Sequence, residues 1–175
     1  MKRAKLLMAI FIIAIMISSV IGFVSLDKNN NPKNYEYKGY KFNLDANGRY
    51  IYNNFIFDYP PSDLQDIKLP DFTLEKERYY LLINYSEKDE NIDYGLNKLG
   101  YNLNLAGIRS VIACINELNC PQELPAKDCN EDAFYFIKSS INQVYLQDKC
   151  VIIEGDLTGI NKFVDKIDLR IAKIE

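Results

Sequence analysis

One stretch, residues 6–26, constrains this 175-residue chain more than any other. From Leu6 to Leu26 no side chain is charged, and Leu, Ile, Val, Phe, Met and Ala dominate. A helix of about 20 apolar residues spans the roughly 30 Å hydrocarbon layer of a bilayer. Cleavable signals have apolar regions of only about 7–15 residues, so the length points to an uncleaved anchor. Val20-Ile21-Gly22 makes a poor cleavage site, and no Cys follows the run to take a lipid. A pilin-type leader cut at Arg3-Ala4 would leave Lys5 as the first mature residue, before a helix that lacks an early Glu, which departs from that pattern. Lys2, Arg3 and Lys5 precede the run, whereas Asp27 and Lys28 close it. The excess of basic residues before the span places the N-terminus in the cytoplasm and the rest of the chain outside. The lipid bilayer, contacted through residues 6–26, is therefore the first expected partner.

Residues 27–34 are polar and broken by Pro32, as in a short linker. Residues 35–175 remain, enough for one domain. The chain has a net charge of −3, and three of its cations sit before the anchor, so this domain is acidic. It has no electrostatic footprint for nucleic acid. His is absent from the chain. That excludes a Ser-His-Asp triad or a Cys-His dyad and removes the usual nitrogen ligand for zinc, copper or iron.

The domain opens with alternating segments. Tyr40 to Leu44 alternates aromatic or apolar with polar residues, and Asn47-Gly48 reads as a type I′ hairpin turn. After it, Arg49 to Phe57 is either two short strands joined at Asn53-Asn54 or one longer strand with a bulge. An antiparallel meander follows from either, ended by Pro60-Pro61. Ser62-Asp63-Leu64 starts a helical turn, and Phe72 to Leu74 is expected as a short strand. Arg78 to Asn84 is a near-continuous apolar run, as expected of a strand buried on both faces.

From Asp89 to Asn119 apolar residues step by threes and fours, with one break of five. The spacing predicts a long helix, capped by Asp89 or Asp93 and breaking near Gly100. Gly95, Gly100 and Gly107 each weaken it by about 1 kcal/mol relative to Ala. Cys120-Pro121 ends it. Strands are then expected at Ala133–Lys138, Gln143–Leu146 and Cys150–Ile153. A last helix runs from Leu157 to about Ala172, with Asp156 as N-cap, an apolar face of Ile160, Phe163, Val164, Ile167 and Ile171, and an outer face of Lys162, Lys166, Arg170 and Lys173. An N-terminal transmembrane helix, an antiparallel β-meander and then β-α-β-β-α make an α+β or small three-layer α/β protein. The strands at 78–84 and 133–138 are expected to be parallel, joined by a right-handed crossover.

Cys114, Cys120, Cys129 and Cys150 lie in the C-terminal half. An even count outside the cytoplasm reads as two disulfides. The sequence leaves three pairings open. Cys120–Cys129 with Cys114–Cys150 is preferred because it would pin the long helix to the sheet. A zinc site is disfavoured by the lack of a close C-x2-C pair. Asn84-Tyr85-Ser86 is an N-glycosylation sequon, used only where the host glycosylates and the domain is outside.

Glu154 and Asp156 follow a core strand and precede a helix, the place where open α/β sheets gather ligands. They could serve as an acid/base pair or as oxygen ligands to a cation, and they are the candidate catalytic residues. The plainer alternative is a turn plus a helix cap. Glu87, Asp89, Glu90 and Asp93 form an acidic patch at the end of the earlier strand, which a calcium or magnesium ion could share. No P-loop and no G-x-G-x-x-G appears, and no cofactor is implied. Ser139-Ser140 lies on a turn with nothing to mark it as a nucleophile.

Cys114 to Cys120-Pro121, Leu124-Pro125 before Cys129, Asn142 to Asp156 with Cys150 at a strand start, and the Phe163–Ile174 helix together resemble small single-span membrane-anchored proteins of archaeal type. The resemblance covers roughly residues 35–175 and brings no function with it. The leading expectation is a membrane-anchored extracytoplasmic interaction or accessory domain with a membrane or cell-surface protein partner. The alternatives are a carboxylate- or metal-assisted hydrolase, or a small-ligand or cation-binding module, on the Glu154/Asp156 rim.

Overall fold

A computed structural model describes residues 34–87, 89–115 and 119–174, together with Ile15. The expected anchor, Ile15 apart, and the linker up to Lys33 lie outside the described residues. Among the described residues no helix is long and apolar enough to cross a membrane.

Strands β1 (Asn34–Tyr37), β2 (Tyr40–Leu44), β3 (Tyr50–Tyr52) and β4 (Phe55–Phe57) form an antiparallel meander in sequential order. Asn53 and Asn54 both adopt left-handed φ, 48° and 71°, in the two-residue turn that pairs Tyr52 with Phe55. The Asn47-Gly48 turn differs from expectation. The Asp45 carboxylate accepts from the backbone N–H of Asn47 (2.8 Å) and Arg49 (2.9 Å), which holds a longer loop in which only Gly48 is left-handed (φ 77°). The meander ends at Pro60, and a single 3-10 turn covers Pro61–Leu64. Residues 72–74 are irregular rather than a strand. There Phe72 packs edge-on against Phe134, with ring centroids 5.9 Å apart.

The second sheet has the order β6-β5-β7-β9-β8. Strands β5 (Arg78–Ile83), β6 (Arg109–Cys114), β7 (Ala133–Lys138) and β9 (Cys150–Gly155) are parallel, and β8 (Gln143–Gln147) runs antiparallel along β9. β5 and β7 are parallel neighbours, as expected. The helix expected over 89–119 is much shorter: α1 covers Glu90–Leu105. Gly107 stops it with φ 79°, while Ile108 N–H donates to Leu103 O and Gly107 N–H to Asn104 O. This is the glycine-terminated helix end that satisfies the last carbonyls. Beyond it, Ser110-Val111-Ile112 enters β6 instead of continuing the helix. Val111 and Ile115 resume the helical spacing after the five-residue step from Ala106, but β-branched side chains with a glycine stop decided the outcome.

Helix α2 (Leu157–Ile171) starts where expected, with Asp156 accepting from Gly159 N–H at 2.8 Å. Its expected outer face is corrected. Lys166 is buried, and Asp165 and Asp168 are fully buried. α2 touches β9 on one side and β4 and the 61–64 turn on the other, so the meander covers the side that the basic residues were expected to give to solvent. Phe42, Phe57, Leu64, Leu81, Phe134, Ile153 and Ile167 belong to one continuous core shared by both sheets and both helices. Each such side chain contributes roughly 1.5–3 kcal/mol by leaving water.

The other face of the second sheet carries Tyr80, Leu82, Ala113, Ala133, Cys150 and Ile152. The connection from β6 to β7 is tied down beside it. Ala126 bridges alongside Cys114, Lys127 Nζ stands 4.8 Å from the Tyr80 ring centroid, and Cys129 is bonded to Cys150. The second disulfide joins Cys114 to Cys120. This replaces the expected pairing of Cys120 with Cys129 and Cys114 with Cys150. Cys114 ends a strand rather than a helix, so its near neighbour in sequence comes within reach (Cα–Cα 5.9 Å). Two disulfides with no free cysteine indicate an oxidising, extracytoplasmic location.

Candidate functional site

A cleft of about 400 Å³ opens at the carboxyl ends of β7 and β9. Asp89 and Ile92 line it from the start of α1, Lys138 to Ser140 from the end of β7, and Asp156, Leu157 and Ile160 from the start of α2. Asp89 and Asp156 are thus brought to one rim, as the sequence suggested, but each is already engaged. Asp156 caps α2. Asp89 accepts from Ile92 N–H at 3.0 Å and pairs with Lys138 Nζ at 2.6 Å. Ser139 Oγ accepts from Ile141 N–H at 3.1 Å, which fixes the turn after β7.

Glu154 is not part of the cleft. It accepts from Gln143 Nε2 of β8 at 2.6 Å, and hydrogen bonds from Gln143 and Ser139 lower its pKa. A general acid at neutral pH needs the opposite shift. Glu154 and Asp156 engage different partners, Glu154 the Gln143 amide of β8 and Asp156 the Gly159 N–H of α2. Glu87, Glu90 and Asp93 do not line the cleft either. Asp93 faces a separate cavity of about 330 Å³ with Leu96, Ile112 and Pro121. Among the described residues no three acidic or cysteine groups are placed to hold a metal ion.

Asn142 fixes the cleft's outer wall. Its Oδ1 accepts from Asp156 N–H at 3.0 Å. A Cβ added at Gly155 or Gly159 would overlap that side chain. Small residues at both positions let the β7–β8 turn sit on the start of α2. In the sequon, Asn84 is half-buried and accepts from Ser86 N–H at 3.3 Å, and Ser86 Oγ accepts from Asn119 Nδ2 at 3.0 Å.

The largest concentration of charge in the interior was not foreseen. Lys98 of α1 reaches Asp165 of α2 and also Asp58 after β4, at 2.6 Å. Asp165 Oδ2 accepts from the backbone N–H groups of Asp58 and Tyr59, both at 2.8 Å. Tyr94 O–H donates to Asp58 at 2.9 Å. Burial works to lower the Lys98 pKa, but Asp165 and Asp58 outweigh it and hold the ammonium above its ordinary value. Burial pushes Asp165 up to about 6 against the pull of Lys98, which leaves it ionised at neutral pH.

One helical turn further along, Asn102 Nδ2 donates to Asp168 Oδ2 at 2.6 Å. Asp168 Oδ1 and Asn102 Oδ1 have no hydrogen-bond partner. Burial, then the charge of Asp165, raises the Asp168 pKa well above the carboxylate range. A protonated carboxyl is a donor, which is what an acceptor such as Asn102 Oδ1 lacks. The network joins α1, α2 and the end of the meander. Its trace in the sequence was two acids three residues apart in α2, Asp165 and Asp168, which the basic residues around them made look like an ordinary solvated face.

At the opposite ends of the strands a larger cavity of about 700 Å³ places Lys76, Arg78 and Arg109 among Glu77, Glu131 and Asp132. Comparison with protein-family models, curated proteins and solved structures finds no match to this chain.

Proposed function

We propose that this chain is an extracytoplasmic interaction domain, held at the membrane by residues 6–26 with its N-terminus in the cytoplasm, that serves as an accessory subunit to a membrane or cell-surface protein. One observation carries the reading: the ionisable groups at the cleft are committed to the scaffold. Asp156 caps a helix, and Asp89 caps another while neutralising Lys138. A hydrolase built on this rim would have to break those caps, each worth roughly 1 kcal/mol, to free its acid or base. The two disulfides support the outside placement, because they persist where thiols are not kept reduced. The basic residues before the apolar run support its orientation.

Crosslinking in native membranes followed by affinity capture tests the proposal. A membrane or surface protein recovered in stoichiometric amount is the expected result. Recovery of this chain without any other protein would overturn the accessory role.

A small-ligand module is the second reading. It is favoured by the position of the cleft at the ends of parallel strands, where α/β sheets bind ligands. Ligand-induced shifts in NMR resonances of Ser139, Ser140 and Leu157 would support it over the first.

A further inference from the structure

The geometry points to β8 as a self-pairing edge through which two copies of this chain join their second sheets. Among the described residues β8 has a neighbour on one side only, β9. The other sheet edges each carry a guard over part of their length. β1 carries Glu36, β4 is three residues long, and β6 is bridged by Ala126 at Cys114. β8 has none of the usual guards. From Ser139 to Gln147 there is no charge and no proline, and an unguarded edge is a template for another strand.

The residues of the edge suit a second copy specifically. Gln143-Val144-Tyr145-Leu146-Gln147 reads the same in chemical character in both directions. An antiparallel pairing centred on Tyr145 sets Gln143 opposite Gln147 of the second copy, Val144 opposite Leu146, and Tyr145 opposite itself. Amide then meets amide, aliphatic meets aliphatic, and ring meets ring. Beyond the strand, Asp148 and Lys149 fall opposite Asn142 and Ile141, so no like charges face each other. Leu146, 46% exposed, and Ile141, 61% exposed, gain cover.

The hydrogen bonding agrees with this register. Asp148-Lys149 is a two-residue connection that pairs Gln147 with Cys150, and such hairpins close on a hydrogen-bonded pair. Alternation then turns the N–H and C=O groups of Gln147, Tyr145 and Gln143 toward β9 and those of Val144 and Leu146 outward. The outward residues are the ones that meet across the two-fold axis, and Tyr145 falls at a non-hydrogen-bonded position. The interface is isologous, as a two-fold dimer requires. It is also small, so association is expected to be concentration-dependent and to strengthen when both copies share one membrane.

The full chain in detergent micelles provides the test, by sedimentation and by cysteine crosslinking. The wild-type chain is expected to sediment as a dimer at the higher protein concentrations. L146K is expected to lose the dimer with an unchanged circular dichroism spectrum, since position 146 is exposed. Y145C is expected to crosslink to itself, because opposed non-hydrogen-bonded Cα atoms lie about 4.5 Å apart, within disulfide range. Q147C, which faces position 143, is expected not to. A wild-type chain that stays monomeric overturns the proposal. So does a dimer that L146K leaves intact, which would assign association to another part of the chain. L146P separates edge pairing from a general surface effect: proline at an outward N–H is tolerated by an edge strand and is expected to abolish the dimer while the monomer stays folded.

Discussion

At the scale of single residues, the buried charges between α1 and α2 dominate. Removing one member of a buried ion pair leaves the other uncompensated and costs about 3–5 kcal/mol. Lys98→Met strands Asp165, whose second oxygen is also tied to the backbone of Asp58 and Tyr59. We expect a loss of that size in urea unfolding, with the meander loosening first in hydrogen exchange. The acids also set a pH dependence. Asp165 at about 6 and Asp168, raised well above 3.8, bind their protons more tightly in the folded chain than in the unfolded one. The stability they contribute is present below about pH 4 and is lost as pH rises through their folded values. Asp168→Asn mimics the protonated acid. The variant is expected to match wild type near pH 4 and to exceed it increasingly toward neutrality, as read from urea midpoints. A difference that stays flat with pH would show that Asp168 holds no extra proton.

At the scale of elements, helix propensity and helix packing give opposite predictions at Gly95. Propensity alone makes Gly95→Ala stabilising by about 1 kcal/mol. In the structure a Cβ at that position comes 2.7 Å from Ile160 Cγ2, with Phe136 and Val164 close behind. Ile160 Cγ2 sits on a branched Cβ and cannot swing away. Overpacking of this kind costs roughly 1–3 kcal/mol, so packing wins, and Gly95→Ala is expected to lower the unfolding midpoint. The glycine that weakens α1 in isolation is what lets α1 and α2 approach. The same comparison explains which elements were legible. The ends of α2 followed from Asp156 and an apolar stripe, and the turn at Asn53-Asn54 was one of two readings that local turn chemistry left open. The end of α1 did not, because the apolar spacing resumed after one five-residue step, from Ala106 to Val111, and the hydrogen bonds around Gly107 show that the helix stops at that step.

At the scale of the whole molecule, the disulfides hold the β6–β7 connection to the second sheet. In a loop-entropy view Cys129–Cys150, 21 residues apart, contributes about 3 kcal/mol, and Cys114–Cys120, six apart, about 2 kcal/mol. Replacing Cys129 and Cys150 by Ser is therefore expected to lower stability by the larger amount and to open residues 119–132 to limited proteolysis. Losing Cys114–Cys120 costs less and leaves the far end of the connection fastened. The amino-acid sequence by itself determined the mixed α/β character, the meander, the core strands, the last helix with its cap and the presence of two disulfides, because each depends on residues close in the chain or on a simple count. The tertiary structure decided the cysteine pairing, the covering of α2 on both sides, the pairing of Asp89 with Lys138 and the Lys98–Asp165–Asp58 network. Those outcomes depend on which distant surfaces meet. A charge such as that of Asp165 reads as solvent-facing until a second sheet is laid over it.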